Sequence, residues 1–164
     1  MDFELNDEQQ QLKATLGRFL ADSGDFAART RALRSQPGWR ADVWQGLADL
    51  GVLAIGLPEG AGGFGGGLEM LAAMEEVGGA LAPEPLAETL FQAAPLLTRG
   101  AAGAQALLPR IVAGEVRLAV AVGEADMRDD LAAIGLAATR TPTGWRLDGE
   151  KQLVVGAPWA THLL

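Results

Sequence analysis

Six glycines between positions 60 and 67 are the residues whose type and spacing first suggest binding chemistry. Gly60, Gly62 and Gly65 fit the pattern G-x-G-x-x-G, which in dinucleotide-binding proteins follows a β-strand and lets a pyrophosphate approach the backbone. The apolar residues 52–57 could form that strand. A Rossmann unit also needs a second parallel strand soon after its helix, whereas residues 82–85 read Ala-Pro-Glu-Pro and precede another helical pattern. The spacing therefore favours a tight turn between two packed helices, with an NAD-binding module as the alternative.

Other residue types that perform chemistry are scarce in this sequence. The chain has no cysteine and a single histidine, His162, so neither a thiolate metal site nor a multi-histidine metal site is expected. A Ser-His-Asp triad is not expected for the same reason. Glu75 and Glu76 are adjacent carboxylates, but neighbouring residues on a helix point to different sides, which argues against a shared acid–base site. Residue types therefore predict no metal site.

The composition indicates a globular, acidic protein. The 164 residues are 49% hydrophobic and 21% charged, with a formal net charge of -8. This length suffices for one substantial core, or for one domain and part of another. A nucleic-acid-binding surface is not expected, because phosphate recognition requires a basic stripe. No apolar run approaches the roughly 20 residues of a membrane span, and the acidic amino terminus lacks the build of a signal peptide. The sequence therefore predicts a cytoplasmic protein.

The residues before position 116 have the periodicity of helices. Asn6 and Gln9 form a capping-box pair at the start of the first predicted helix, which we expect to end near Gly24. Trp44 lies in the core on a helix that Gly51 should end in a left-handed conformation. Further helical patterns cover residues 26–35, 68–81, 84–100 and 105–114. We therefore predict an all-α bundle of about six helices.

The pattern changes at Val116, where extended segments replace helical ones. Thr143-Gly144 is a hairpin signal, and strand-like runs cover residues 116–122, 134–139, 145–148 and 152–155. Four strands with open edges make a poor independent fold, because unpaired backbone groups invite association. The sequence therefore predicts a helical domain over residues 1–115 and the truncated beginning of a β domain over residues 116–164.

Several segments, in a fixed order along the chain, form a more specific signal than any single motif. The helical half has Asn-Asp-Glu-Gln at 6–9, Trp44 followed by Leu-Ala-Asp-Leu-Gly at 47–51, Leu-Pro-Glu at 57–59 before the glycines, Glu-Glu at 75–76 and Leu-Pro at 108–109. The β half has Gly-Trp at 144–145, Leu-Asp-Gly at 147–149, Lys151 and Ala-Pro-Trp-Ala at 157–160. Together these segments cover nearly the whole chain, and they resemble the acyl-CoA dehydrogenase family.

This resemblance implies an α+β architecture, in which an all-α amino-terminal helical bundle precedes the first strands of an antiparallel β-barrel-like middle domain. Members of the family oxidise an acyl-CoA thioester at its α and β carbons, with a glutamate base that removes the α proton and FAD that accepts a hydride. In the commonest members the base lies in a carboxy-terminal bundle, so no catalytic residue is assigned in this chain. The resemblance also implies an acyl-CoA substrate and a homo- or hetero-oligomer, either a dimer or a tetramer, with no nucleic-acid or membrane partner.

The resemblance further implies where FAD would lie. The middle domain of the family opens with a Thr-Glu-Pro-x-x-Gly-Ser-Asp type segment, to which residues 123–130, Gly-Glu-Ala-Asp-Met-Arg-Asp-Asp, correspond. A second segment of the family, aromatic-x-Thr, lies against the flavin ring and corresponds to residues 153–155, Leu-Val-Val. The positions that would contact the cofactor are Val122, Gly123, Arg128, Asp129, Leu153 and Val155.

These two segments depart from the family pattern. The threonine, glycine and serine of the first become Gly123, Arg128 and Asp129, the second reads Leu-Val-Val at 153–155, and two hydroxyl donors are thus lost. Each lost hydrogen bond is worth about 0.5–1.5 kcal/mol. Together the losses would weaken FAD binding by about one to two orders of magnitude. Two hypotheses follow: the protein is a FAD-dependent acyl-CoA dehydrogenase, or it is a degenerate dehydrogenase-like subunit that supports a partner and holds little flavin.

Overall fold

The computed structural model describes residues 4–100, 102–128 and 130–164, and helices precede strands along the chain. The α-helices are α1 (Asp7–Asp22), α2 (Phe26–Arg34), α3 (Ala41–Asp49), α4 (Gly67–Gly79), α5 (Ala94–Thr98), α6 (Ala102–Gln105) and α7 (Leu108–Val112). Short 3-10 helices cover Val52–Ala54 and Glu59–Ala61, and a π-helix covers Ala87–Ala93. Among these described helices, none combines the length and apolar character that crossing a bilayer requires.

Local side-chain chemistry sets the ends of α1 and α3 as the sequence predicts. The Asn6 Oδ1 accepts a hydrogen bond from the Gln9 N–H at 2.9 Å, and the Gln9 Oε1 accepts one from the Asn6 N–H at 3.0 Å. This reciprocal pair satisfies two backbone donors that the helix leaves free. Gly51 follows α3 with φ of 77°, a left-handed conformation that costs glycine little. The capping box and the glycine stop are both confirmed.

The core lies inside the helical part, with Trp44 at its centre. The Trp44 Nε1 donates to the Gly114 carbonyl oxygen at 2.8 Å, which joins α3 to the turn after α7. The Trp39 ring meets the Trp44 ring edge to face at a centroid distance of 6.3 Å. The fully buried neighbours include Leu16, Leu47, Leu53, Leu97 and Ile111.

Helix α4 buries a face made largely of small residues, while large apolar side chains on it and just after it are exposed. Met70, Ala73 and Val77 are buried, whereas Leu71 and Leu81 are exposed. Helix α1 packs along α4, with the Gln9 Nε2 donating to the Glu69 Oε1 at 2.7 Å. The contact face is therefore set by close approach of α1 over small residues of α4, and a pattern of large apolar residues does not reveal it.

The glycine run forms a closed turn, and the prediction of a turn between packed helices is confirmed. The run before it is a 3-10 helix over Val52–Ala54 rather than a strand. The Gly56 N–H donates to the Phe64 carbonyl oxygen at 2.8 Å, and the Gly63 N–H donates to the Pro58 carbonyl oxygen at 3.0 Å. These N–H groups are satisfied within the turn, so they are not presented to a pyrophosphate. The alternative of an NAD-binding module is wrong.

The segment after α4 contains a π-helix that continues directly into α5. Thr89 is fully buried in this π-helix, and its Oγ1 accepts a hydrogen bond from the Leu118 N–H at 3.1 Å. Pro95 lies in the first turn of α5, where its missing N–H is tolerated. Pro109 likewise lies in the first turn of α7, so the predicted helix over 105–114 is shorter and begins next to its proline.

The strands form two small pairs. Strand β1 (Leu118–Ala119) pairs in parallel with β4 (His162–Leu163), and β2 (Ala137–Thr141) pairs antiparallel with β3 (Gly144–Asp148). The β2–β3 hairpin lies where the Thr143-Gly144 signal predicts it. The expected strand over residues 152–155 is wrong, because Leu153 has φ of 53°, which an extended chain does not allow. No closed barrel is present in the described part of the chain, and the α+β class with helices first is confirmed.

Candidate functional site

The two segments that the resemblance assigns to FAD lie side by side. The Gln152 N–H donates to the Gly123 carbonyl oxygen at 2.7 Å, and the Lys151 Nζ donates to the Val122 carbonyl oxygen at 3.1 Å. A Cβ atom at position 123 would lie 2.6 Å from the Gln152 carbonyl oxygen. Glycine is therefore required at 123 for the backbones to approach this closely. This contact explains the Gly123 departure without reference to a cofactor.

Glu124 holds three parts of the β region together. Its Oε1 accepts from the Lys151 Nζ at 2.6 Å and from the Leu136 N–H at 3.1 Å, while its Oε2 accepts from the Gly135 N–H at 2.6 Å. The Lys151 hydrogen bond, followed by the Gly135 N–H, holds the pKa of the Glu124 carboxyl below its ordinary value. The ionised carboxylate thus fixes the spacing between the segments at 122–124 and 151–152.

We expect Glu124 to contribute stability that is lost in acid. Its pKa is lower in the folded protein than the ordinary value of 4.5, so the contribution is fully present above about pH 4.5 and disappears as the pH falls through the folded pKa. Replacing Glu124 by Gln should lower the melting temperature at neutral pH and flatten its decline below pH 4.5. Melting curves over this pH range test the prediction. The exposed neighbour Glu150, changed to Gln, should keep the wild-type decline, and an unchanged profile for the Glu124 variant would contradict the prediction.

The structure places Val122, Gly123, Leu153 and Val155 on one irregular surface rather than in a closed pocket. Val122 and Gly123 are half-buried against Lys151 and Gln152. Leu153 and Val155 are 98% and 61% exposed, and Arg128 is exposed in a left-handed conformation with φ of 48°. Asp129 lies outside the described residues. The hydrogen bonds that bring 122–123 beside 151–152 also place the following residue, Leu153, near them. Among the described residues, Arg128 makes no hydrogen bond to that segment.

This surface could bind a flat aromatic ligand, because it offers backbone N–H donors and exposed apolar side chains. The N–H groups of Gly123 and Val155 make no hydrogen bond with the described residues. The side chains of Leu153 and Val155 present apolar surface to solvent, which a flavin ring would cover. Residues 122–123 and 153–155 could therefore hold FAD by backbone donors, although side-chain hydroxyls contribute nothing there.

A cavity of about 430 Å³ was not predicted from the sequence. It lies between α4, the turn after it, the π-helix and the segment before β4, with a mainly apolar lining of Met74, Val77, Leu81, Ala82, Pro83, Ala87 and Trp159. Glu84 and Glu88 bring two carboxylates to the same lining. Its volume lies in the range of small-molecule sites. Sequence spacing gives little sign of it, because the cavity closes only where Trp159 meets the stretch of residues 74–88.

The sequence matches one family over most of its length. Residues 6–115 match the family described as "Acyl-CoA dehydrogenase, N-terminal domain". The chain is 30% identical to benzylmalonyl-CoA dehydrogenase of Aromatoleum aromaticum, over 98% of this chain and 43% of that protein. It is 29% identical to mitochondrial isovaleryl-CoA dehydrogenase of Pongo abelii, over 98% of this chain and 39% of that protein. The chain therefore spans less than half the length of these relatives.

Solved structures show the same arrangement of the backbone. A variant of the Tcur3481-Tcur3483 steroid ACAD is 34% identical with a TM-score of 0.82, over 96% of this chain and 44% of that one. The ChsE4-ChsE5 complex of Mycobacterium tuberculosis is 28% identical with a TM-score of 0.84, over 100% of this chain and 44% of that one. The FAD complex of PigA is 25% identical with a TM-score of 0.77, over 99% of this chain and 44% of that one.

Proposed function

Because this chain belongs to the acyl-CoA dehydrogenase family, we propose that the protein containing it is a FAD-dependent dehydrogenase of acyl-CoA thioesters. FAD, when bound, supplies a hydride acceptor for the β carbon of the acyl group. The observation that carries this proposal is the family match over residues 6–115. The close pairing of residues 122–124 with residues 151–152 supports it, because it brings together the two segments assigned to FAD. We further propose that residues 1–115 form the helical domain and residues 116–164 the start of the β domain, in a cytoplasmic protein.

The residues proposed to hold FAD act mainly through their backbone. Gly123 and Val155 would donate their free N–H groups, and Leu153 and Val155 would pack against the ring. Arg128 and Asp129 stay in the proposed set on the resemblance alone. The Glu124–Lys151 contact would position Gly123 and Val155, because it fixes the distance between the segments that contain them. Within this chain the residues bind and orient, and no residue is assigned to proton transfer.

Assembly with a second chain is part of the proposal. The ChsE4-ChsE5 structure is described as a complex, and the Tcur3481-Tcur3483 structure carries a paired name. A homo- or hetero-oligomer, as a dimer or tetramer, therefore fits the family, with an acyl-CoA thioester as the substrate. The net charge of -8 supports the absence of a nucleic-acid partner.

The second candidate is a degenerate dehydrogenase-like subunit that shapes a partner and holds little flavin. The absence of hydroxyl side chains at 123 and 155 favours it, because a flavin acceptor left without a donor loses affinity. The two candidates differ in one measurable property. The enzyme carries flavin and reduces it with an acyl-CoA, whereas the supporting subunit does neither by itself.

We expect Val155→Thr to bind FAD about two- to tenfold more tightly than the wild-type protein, because the new hydroxyl donates one hydrogen bond worth about 0.5–1.5 kcal/mol. Quenching of flavin fluorescence in a titration of the full-length protein measures the affinity. Val154→Thr is the matched control, since it makes the same change at the half-buried neighbouring residue, which is outside the set proposed to contact FAD. A full-length protein that binds no added FAD, and shows no flavin absorption when purified, would contradict the enzyme proposal.

A further inference from the structure

Glu88 brings to the cavity of about 430 Å³ a carboxylate that has no partner among the described residues. The side chain is half-buried, and no hydrogen bond or ion pair of Glu88 is present among the residues that the structure describes. The other carboxylate of the lining is neutralised, because the Glu84 Oε1 accepts from the Arg40 Nε at 3.0 Å and the Glu84 side chain is fully buried. The charge that the cavity offers to a ligand is therefore that of Glu88.

The fold holds Glu88 in place from both sides. Its neighbour Thr89 is fully buried and accepts the hydrogen bond of the Leu118 N–H, which fixes the rotation of the π-helix against β1. Leu86 and Leu90 are buried on either side of it along the chain. These contacts leave Glu88 at the cavity, and π-helical turns of this kind are frequent at functional sites.

The stem of Glu88 lies against the segment proposed to contact the flavin. A Cβ atom at Gly156 would lie 3.1 Å from the Glu88 Cγ and 3.4 Å from its Cβ. Gly156 has φ of 84° and directly follows Val155, whose N–H and side chain are proposed to face FAD. Glu88, which lines the cavity, thus lies against the residue that directly follows the proposed cofactor surface.

We propose that Glu88 determines substrate specificity by selecting acyl-CoA thioesters whose acyl group carries a hydroxyl or amino hydrogen-bond donor. This inference rests on the proposed function. The apolar side chains of the cavity would cover the hydrocarbon part of the acyl group, and the carboxylate would accept a hydrogen bond from the donor. A plain alkyl group would leave that carboxylate partly desolvated without a partner, which opposes binding. An acyl group that ends in a carboxylate would meet like charge.

The test compares acyl-CoAs of equal length that differ only in one group on the chain. Calorimetric titration of the full-length protein gives the dissociation constant for a plain acyl-CoA, for hydroxyacyl-CoAs with the hydroxyl at successive carbons, and for the ω-amino and ω-carboxy compounds. We expect at least one donor-bearing compound to bind about ten- to a hundredfold more tightly than the plain one, the range of a hydrogen bond to a charged group. The ω-carboxy compound should bind most weakly.

Two variants at position 88 assign the preference to the carboxylate. Glu88→Gln keeps the size and removes the charge, so the preference for an amino group should disappear and that for a hydroxyl should shrink. Glu88→Leu should reverse the order in favour of the plain acyl-CoA. Glu59→Gln removes one exposed charge from the Glu59–Ala61 helix and should leave every dissociation constant unchanged.

The outcomes separate this inference from the proposed function. Binding and oxidation of acyl-CoAs with no donor preference, or with a preference that survives in Glu88→Leu, would overturn the specificity role and leave the dehydrogenase proposal intact. A lower melting temperature of Glu88→Gln without altered preference would show that a basic side chain of the protein pairs with Glu88, which also overturns the inference. Tight binding of donor-bearing compounds without flavin reduction would support the cavity assignment and contradict the proposed reaction. Binding of no acyl-CoA would overturn both.

Discussion

Replacing Arg40 by Met should lower the free energy of unfolding of the helical part by about 3–5 kcal/mol, because it leaves a buried carboxylate without its counter-charge. The Glu84 side chain is 0% exposed. Its Oε1 accepts from the Arg40 Nε at 3.0 Å and from the Arg40 N–H at 3.2 Å, and its Oε2 accepts from the Arg40 Nη2 at 3.1 Å. The Arg40 Nη1 also donates to the Ser23 carbonyl oxygen at 2.9 Å, so one guanidinium joins the end of α1, the start of α3 and the turn after α4. Urea denaturation followed by tryptophan fluorescence measures the loss.

An exposed ion pair on the same chain is the control. Arg110→Met removes the partner of Glu115, which lies 3.0 Å away with both side chains more than half exposed. Such a pair is worth about 0–1 kcal/mol, so its loss should be small. In the double variant Arg40→Met with Glu84→Met, much of the stability should return, because no buried charge is left unpaired. A loss below about 1 kcal/mol for Arg40→Met alone would contradict the assignment.

Gly63→Ala should destabilise the protein by about 3 kcal/mol or more, at the upper end of overpacking effects. A Cβ atom at position 63 would overlap the backbone carbonyl group of Leu57, which a side-chain rotation does not relieve. The Gly63 N–H also donates to the Pro58 carbonyl oxygen at 3.0 Å, so movement of residue 63 would break the turn. Thermal and urea denaturation of the variant measure the cost.

The matched control uses a glycine from the same run. A Cβ atom at Gly60 would meet nothing within 4 Å, and Gly60 lies in the 3-10 helix Glu59–Ala61. Gly60→Ala should therefore be neutral or stabilising by about 0.4–1 kcal/mol, since alanine restricts the unfolded chain. The comparison separates the turn from a phosphate-binding loop, in which the first glycine of G-x-G-x-x-G would be the sensitive one. Equal effects at both positions would show that the Gly63 contact does not constrain the turn.

The sequence predicts the helical half of the fold well where the signals are local. The capping pair of Asn6 and Gln9, the left-handed Gly51 and the turn in the glycine run depend on residues a few positions apart, and all three are confirmed. The buried face of α4 is not predicted, because small residues such as Ala73 are selected by the approach of α1. The strand expected at 152–155 fails because residues 151 and 152 bond to Val122 and Gly123 in an irregular conformation.

The candidate site is likewise predicted in part from the sequence and in part only from tertiary contacts. The resemblance identifies the positions proposed for FAD, and the structure adds the Glu124 contacts with Lys151 and Gly135 that hold their segments together. Glu88 carries no motif and lies in a helical pattern, so its type and spacing give no reason to select it. The proposed role of Glu88 in specificity depends on its contact with Gly156, which is distant in sequence and lies against the aliphatic part of the Glu88 side chain.

The sequence by itself determined the helix ends, the glycine turn, the change from helices to strands and the family. These follow from short-range hydrogen bonding, backbone freedom and the order of segments along the chain, which a linear pattern records. Only the tertiary structure decided that Glu84 is paired with Arg40, while Glu88 has no partner in the part of the chain that the structure describes. The physical reason is that burial and pairing of a charge depend on groups brought together from distant parts of the chain, and the same residue type four positions apart therefore has opposite roles.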